Sequence, residues 1–285
     1  MSYDNFKQKV WAKGIQKELE RLHVFAADTN QEYTGVIKNL GDTVRIKQIG
    51  KPTISTVQFD AKDNRYITLS SPETVPDSSL SVVVDRQSTF NYCVPDIDEA
   101  QGATGVMEAL NSETSEGLAD EHDKFISNLV LTDPAVKRYD NSGNAWVFTK
   151  DNAFTLFDAC QQILWENDVK PSTEIVITLP PWAIMALRQG FIKVDTDNSA
   201  MLKNGEVTRY GNMIIKMSNN VAVDGSGKYH VQVKTRRAIG FVHQATHLEP
   251  YRPEQGFSDA IKGFDLFGGR IVRPKEIVDL MIAPN

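Results

Sequence analysis

The spacing of apolar residues changes several times along the chain, and each change predicts a different element. In residues 4–25, Phe6, Val10, Ile15, Leu19 and Leu22 recur near the helical period with charges between them. That pattern predicts an amphipathic helix, with Asp4 placed to cap its start. From residue 33 the period falls to two: Val44, Ile46 and Gln48 alternate with Thr43, Arg45 and Lys47. Gly41-Asp42 and Gly50-Lys51-Pro52 punctuate this strand as turns. Residues 54–59, 66–69 and 80–84 predict further strands. Few large apolar residues occur between 33 and 94, and a hairpin that buries no face is marginal in water. This region is therefore expected to pack on another chain.

The pattern then lengthens. Residues 97–130 contain no proline and carry Ala100, Ala103, Val106, Met107, Leu110, Leu118, Phe125 and Leu129 as a broken helical stripe. Gly102, Gly105 and Gly117 would each cost about 1 kcal/mol inside such a helix, so either tertiary packing offsets that or the helix bends or opens near Gly102 and Gly105. Phe154, Phe157, Cys160, Ile163 and Leu164 mark a second helix within 149–169, starting near Thr149 or Asp151. Residues 174–179 read as a buried strand. Pro180-Pro181 opens a short helix that Gly190 should close. A strand–turn–strand is expected at 209–217 about Gly211-Asn212, a turn at 224–228, and strands at 229–234, 238–243, 262–267 and 270–272. Helices and strands do not alternate regularly, so the fold class is α+β.

Composition narrows the function classes. At 285 residues, 41% hydrophobic and 24% charged, the chain is an ordinary globular one, of one large domain or two small ones. A net charge of -6 argues against a dedicated DNA-binding protein with a broad basic face. Cys93 and Cys160 are too few for a disulfide framework and read as reduced thiols. The first 22 residues are too charged for a signal core, and the apolar run at 175–187 contains Pro180 and Pro181 and is shorter than the roughly 20 residues of a membrane span. No membrane partner is expected.

One charge feature stands out. Residues 97–130 hold Asp98, Glu99, Glu108, Glu113, Glu116, Asp120, Glu121 and Asp123 against Lys124 alone, a net -7 that exceeds the charge of the whole chain. Residues 33–51 are net +3, from Lys38, Arg45, Lys47 and Lys51 against Asp42. Two complementary surfaces in one chain are what self-assembly requires.

Candidate chemistry is thin. His243 and His247 stand four apart, but Gln244 replaces the glutamate of a zinc-hydrolase motif, and the sequence around them reads as a strand end; they are expected to be surface histidines. Gly225-Ser226-Gly227-Lys228 resembles the tail of a phosphate loop, but Ala222 and Tyr229 stand where that loop needs glycine and Ser/Thr, so a hairpin turn is expected. Lys234, Arg236 and Arg237 read as a charged, exposed strand edge. No catalytic, cofactor-binding or metal residue is predicted.

The order of three stretches carries a resemblance. The first is Tyr33-Thr-Gly-Val-Ile with Gly41-Asp-Thr-Val-Arg-Ile and Ile49-Gly-Lys-Pro-Thr. The second is Phe90-Asn-Tyr-Cys-Val-Pro-Asp-Ile-Asp-Glu-Ala-Gln101. The third runs from Arg237-Ala-Ile-Gly-Phe through Glu249-Pro-Tyr-Arg-Pro-Glu254 and Phe264–Gly268 to Arg273-Pro-Lys-Glu-Ile-Val-Asp-Leu280. In this order, over residues 30–280, the chain resembles the major capsid proteins of tailed bacteriophages, with the Hong Kong-type capsid fold.

The resemblance implies an N-terminal arm at 1–32, an extended loop at 33–78, a peripheral domain at 79–171 and 229–285 that includes a spine helix at 97–130, and an axial domain at 172–228. It implies a structural role, not an enzymatic one: copies assembling through hexamers and pentamers into an icosahedral shell around phage DNA, which is held without sequence-specific contacts. The expected location is the virion, reached through the host cytoplasm. Some members carry a long, cleaved N-terminal scaffolding segment. Met1 lies only some 30 residues before the loop, so a separate scaffolding protein, or none, is expected, together with a portal. No cofactor is implied. Subunit contacts are expected at Lys38, Arg45, Lys47 and Lys51 against Glu108, Glu116 and Asp120, and arm contacts at Phe6, Val10, Ile15 and Leu19. Two alternatives remain: an encapsulin-type nanocompartment shell, and a metal-dependent hydrolase using His243 and His247.

Overall fold

The computed structural model describes residues 23–32, 43–49, 54, 59–60, 62, 65–66, 77–95, 106–193, 202–203, 206–207, 209–254 and 258–284. Its strands and helices, in chain order, are β1 (Thr43–Ile49), β2 (Phe59–Asp60), β3 (Arg65–Tyr66), β4 (Asp77–Val83), β5 (Arg86–Pro95), α1 (Val106–Thr132), β6 (Lys137–Tyr139), β7 (Trp146–Val147), α2 (Ala153–Glu166), β8 (Ile175–Leu179), α3 (Pro181–Lys193), β9 (Leu202–Lys203), β10 (Glu206–Val207), β11 (Arg209–Tyr210), β12 (Met213–Met217), β13 (Ala222–Val223), β14 (Tyr229–Thr235), β15 (Ile239–Tyr251), β16 (Ser258–Ile271) and β17 (Ile277–Ala283).

The largest sheet runs β11-β12-β8-β14-β17-β6, with β13 paired to β14 and β7 to β17. Its central strands β8, β14 and β17 are buried almost throughout because both faces are covered. All five residues of β8 are buried. The two faces differ in kind. Val233 pairs with Val278 and with Ile177, and Val231 with Leu280; this face carries the apolar core with Leu156, Phe157, Cys160 and Leu164 of α2. On the opposite face of β14 stand His230, Gln232 and Lys234, all buried. There the Gln232 amide donates to the backbone carbonyls of Ile126 and Ser127 in α1, and the Ala222 N–H donates to Ser127 Oγ at 2.6 Å. The helix is thus fixed to the sheet by polar contacts that would be costly to leave unpaired.

A second sheet, β15-β16-β5, is made of long antiparallel strands. It meets α1 through Phe267 stacked edge-on to Phe125 and through Phe90 against Leu118. The β1–β4 ladder pairs Thr43 with Val83 through Ile49 with Asp77. Its base is anchored: Val82 and Val84 are buried with Val242 and Leu266. At Gly268 an added Cβ would lie 2.2 Å from the Val83 carbonyl oxygen, so only glycine allows β16 to cross so near.

Several expectations change. The helix expected through residue 25 does not reach it: Val24 and Phe25 form a bend and Ala26–Asp28 a 3-10 turn; residues 4–22 lie outside the described residues, as do Gly102 and Gly105. Gly190 does not end α3, which continues to Lys193; a Cβ there would lie 2.7 Å from the Lys150 carbonyl oxygen, so the glycine serves close packing. The two strands expected at 262–267 and 270–272 are one strand, β16, and 238–243 extends to Tyr251. The turn at 224–228 forms as expected, with Asp224 Oδ1 accepting the Ser226 and Lys228 N–H groups. Both cysteines are free, and burial pushes the Cys160 thiol up to about 12. The sheet takes β8, β11 and β12 from residues 172–228 and β14 and β17 from 229–285, so these two segments share one hydrogen-bonded layer.

Candidate assembly surfaces

Helix α1 presents two unlike sides. Ser115, Leu118, Ala119, His122, Asp123, Ile126, Ser127 and Val130 are buried, at the spacing of one helical stripe. Glu113, Glu116, Asp120 and Glu121 are exposed. The acidity of this helix is therefore divided. Asp120 accepts a 2.8 Å hydrogen bond from the Asn220 amide, and Lys124 lies 3.7 Å from Glu121. Glu116 is an exposed acid on the same side, while Glu108 is placed only by its backbone in the helix.

Asp123 does something else. Its carboxylate accepts the backbone N–H groups of Val24, Phe25 and Ala26 at 2.9, 3.0 and 3.0 Å. Burial raises its pKa, and these three N–H groups and His122 pull it back down. The segment it holds is built into its own subunit. Phe25 and Ala26 lie in the main core, and Asn30 joins the edge of β15, accepting from Phe241 N–H and donating to the Ile239 carbonyl. Asp28 pairs with Lys216 at 2.5 Å and with Arg236 at 3.5 Å. Sequence reasoning missed this anchor, although the spacing of Ala119, His122, Asp123 and Ile126 already put the acid on the buried stripe; its charge hid the signal.

The basic cluster is corrected. Lys234 lies on a central strand between β8 and β17 and is 1% exposed. Burial lowers its pKa to about 8, against the pull of Asp28 and Asp123. Arg236 is half exposed, between Asp28 and Glu174. His243 is likewise not a surface residue: at 4% exposure it sits on a strand beside His23 and His122, with a register shift between Gln244 and His247 in place of a helical turn. Among the described residues no group of three acids, histidines or cysteines is arranged to hold a metal, and no helix is long and apolar enough to cross a membrane.

The loop residues are placed by register alone. Arg45 pairs with Ser81 and Lys47 with Ser79. Lys38, Lys51, Phe6, Val10, Ile15 and Leu19 lie outside the described residues. A shallow groove runs over the second sheet, lined by Phe90, Asn91, Glu249, Lys262 and Phe264. Lys262 closes part of it by pairing with Glu249 at 3.1 Å and lying 5.2 Å over the Tyr251 ring.

The fold as a whole is similar to solved phage structures. A Mycobacterium phage Che8 structure superposes with a TM-score of 0.69 at 23% identity, covering 91% of this chain and 90% of that one. The capsid of cyanophage P-SCSP1u gives 0.65 at 16% identity, covering 93% and 87%. This chain has the Hong Kong-type capsid fold. A virus-like particle from Pyrococcus furiosus shares it at a TM-score of 0.58 and 14% identity, covering 96% of this chain and 99% of that one. No family model matches the chain, and no curated protein does.

Proposed function

We propose that this chain is the major capsid protein of a tailed bacteriophage, a structural subunit that assembles through hexamers and pentamers into an icosahedral shell around phage DNA. The observation that carries the reading is the end-to-end match to phage capsid structures, each chain covering about nine tenths of the other. The shared fold alone would serve any shell of this kind; the higher TM-scores to the phage structures than to the archaeal particle favour the phage reading. A shell around dense DNA does not need to bind phosphates tightly, since small cations neutralise them, and a net charge of -6 is compatible with that.

In this reading residues 1–32 are the arm, 33–78 the extended loop, and α1 the spine helix. The peripheral and axial parts divide near residues 172 and 229 in the chain while sharing strands of one sheet. The basic positions Lys38, Arg45, Lys47 and Lys51 meet Glu108, Glu116 and Asp120 of a neighbouring copy, and Phe6, Val10, Ile15 and Leu19 carry the arm onto a neighbour or onto a scaffold. Assembly takes place in the host cytoplasm with a separate scaffolding protein and a portal, and ends in the virion.

The second reading, an encapsulin-type nanocompartment, has the archaeal particle in its favour, which covers nearly all of both chains. Electron microscopy of the purified chain, alone and after co-expression with the neighbouring genes, tests both. Shells tens of nanometres wide support a shell protein, and a 32 kDa monomer under every condition overturns it. Nuclease-protected DNA inside native particles favours the phage reading, and an enclosed enzyme favours the other.

A further inference from the structure

We propose that His23, His122, His243 and Asp265 form a proton-sensitive latch, which holds residues 23–32 against α1 and the second sheet at neutral pH and loosens them on acidification. The inference concerns the single chain and does not depend on shell formation.

Three histidines from three separate parts of the chain meet here in the interior. His23 comes from the docked segment, His122 from α1 and His243 from β15, and none is more than 8% exposed. Their ring centres lie 5.3, 6.0 and 6.2 Å apart. Phe241 and Phe267 close the other sides of His122, with ring centres at 5.4 and 4.5 Å. His23 Nε2 lies 3.1 Å from His122 Nδ1, and His122 Nε2 lies 2.7 Å from Asp265 Oδ2, although off the line of a good hydrogen bond.

Proton counting makes this arrangement a switch. A nitrogen–nitrogen contact of 3.1 Å holds one hydrogen, donated by one ring and accepted by the other. If His23 and His122 were both cationic, two N–H groups would face each other across that gap. The docked state therefore accepts fewer protons than these two imidazoles would bind in water, and the missing one is that of His23. Nearby carboxylates do not relieve the deficit. Asp265 contacts His122, Asp123 is occupied by three backbone N–H groups, and Asp28 is paired with Lys216 and Arg236. Buried Lys234 adds positive charge on the same side, beside Asp28 and Asp123. Burial, with the fields of His122 and His243, takes the pKa of His23 down to about 3 from 6.5.

The sign follows from linkage. When residues 23–32 undock, His23 returns towards its ordinary value, so the undocked state binds more protons. Docking is at full strength above the ordinary histidine pKa and weakens as the pH falls from there towards 3, by up to tenfold per pH unit. Asp123 opposes this, because burial has raised its carboxyl and acid favours its protonated form in the docked state. Comparing two forms of the chain over the same pH range removes that contribution.

The test is amide hydrogen exchange of the full chain at Val24, Phe25 and Ala26, corrected for intrinsic rates and referred to Val231 and Val233. In the wild type, opening of the segment should increase about tenfold between pH 7.5 and 5.5. In His23→Gln, whose amide still offers an N–H to His122 Nδ1 but does not titrate, the increase should stay below about twofold. Equal increases in both forms, or none in the wild type, overturn the latch. If His23→Gln fails to fold, the histidine ring-proton resonances of the wild type decide. His23 remaining neutral down to pH 5.5 while the segment is protected supports the proposal. His23 titrating near 6.5 with that protection intact refutes it.

Discussion

Strands β8 and β1 both read as strands in the sequence, and their surroundings are opposite. Ile-Val-Ile-Thr-Leu in β8 has all five residues buried, with β12 on one side and β14 on the other. Thr-Val-Arg-Ile-Lys-Gln-Ile in β1 alternates apolar and polar positions and pairs, among the described residues, with β4 alone. A continuous apolar run is satisfied only where both faces are covered within the fold. An alternating strand in a two-stranded ladder leaves a face and an edge for something else to cover. The eight-stranded layer is thus complete in one subunit. Among the described residues the ladder is fixed only at its base, where Val82, Val84 and Gly268 hold it to the second sheet.

The N-terminal segment is the sharpest challenge to that division, since it belongs to the extended part by sequence and to the complete part by contact. Deleting residues 2–22 should leave the thermal unfolding transition of the subunit nearly unchanged while reducing the yield of shells. Deleting residues 2–25 removes Phe25 from the core and two of the three N–H groups from Asp123, those of Val24 and Phe25. Loss of a buried phenylalanine alone costs about 3–5 kcal/mol, so this protein should melt well below the first or fail to fold. Matching melting curves for the two deletions would show that the segment is not part of the core.

Much of the layered part was legible from period alone. The runs at 174–179 and 229–234 and the stripe at 154–164 announced themselves because tertiary burial and local pattern agree there. The polar face of the same sheet was not legible. His230, Gln232 and Lys234 alternate with valines on β14, and that alternation normally means one face in water. Here the polar face is covered by α1, so Lys234 is buried where its pattern reads as exposed; His243, on β15 of the second sheet, is covered by His23 and His122. Nothing local to either residue reveals the covering element, which comes from more than 100 residues away in sequence. The loop positions Arg45 and Lys47 read as strand and are strand; partners on another copy, as proposed above, would leave no trace in a single chain.

Lys234 offers a measurable consequence inside the complete region. Its folded pKa is about 8, below the ordinary lysine value of 10.5. The unfolded chain therefore binds more protons than the folded one between these values, and stability should rise as the pH goes from 8 to 10.5. A difference of this size corresponds to about 3 kcal/mol at most. Lys234→Met keeps the length of the side chain and removes the proton, so denaturant unfolding of that variant should lack the alkaline rise. An identical rise in both proteins would mean that other groups produce it.

The smallest effect per contact belongs to the ladder, and repetition is what makes it measurable. If the ladder is completed by a neighbouring copy through charge, Arg45→Glu with Lys47→Glu should leave the melting temperature of the free subunit within about 2 °C, because in that reading both side chains serve the neighbour and surface substitutions change stability by about 0.5 kcal/mol or less. Shell yield should nevertheless drop. Each exposed pair contributes only about 0.2–1 kcal/mol, but a closed shell repeats the pair at every subunit. Adding Glu116→Lys and Asp120→Lys to the same chain should restore part of the yield; recovery will be incomplete, since Asp120 also holds the Asn220 amide within its own subunit. Salt provides the control. Screening over roughly 8 Å at physiological ionic strength weakens an exposed pair, so the difference between native and reversed proteins should shrink as salt rises. If the reversed protein forms shells as well as the native one at low and high salt alike, the ladder is held by backbone pairing and apolar contact, and the acids of α1 do no more than keep one side of a helix in water.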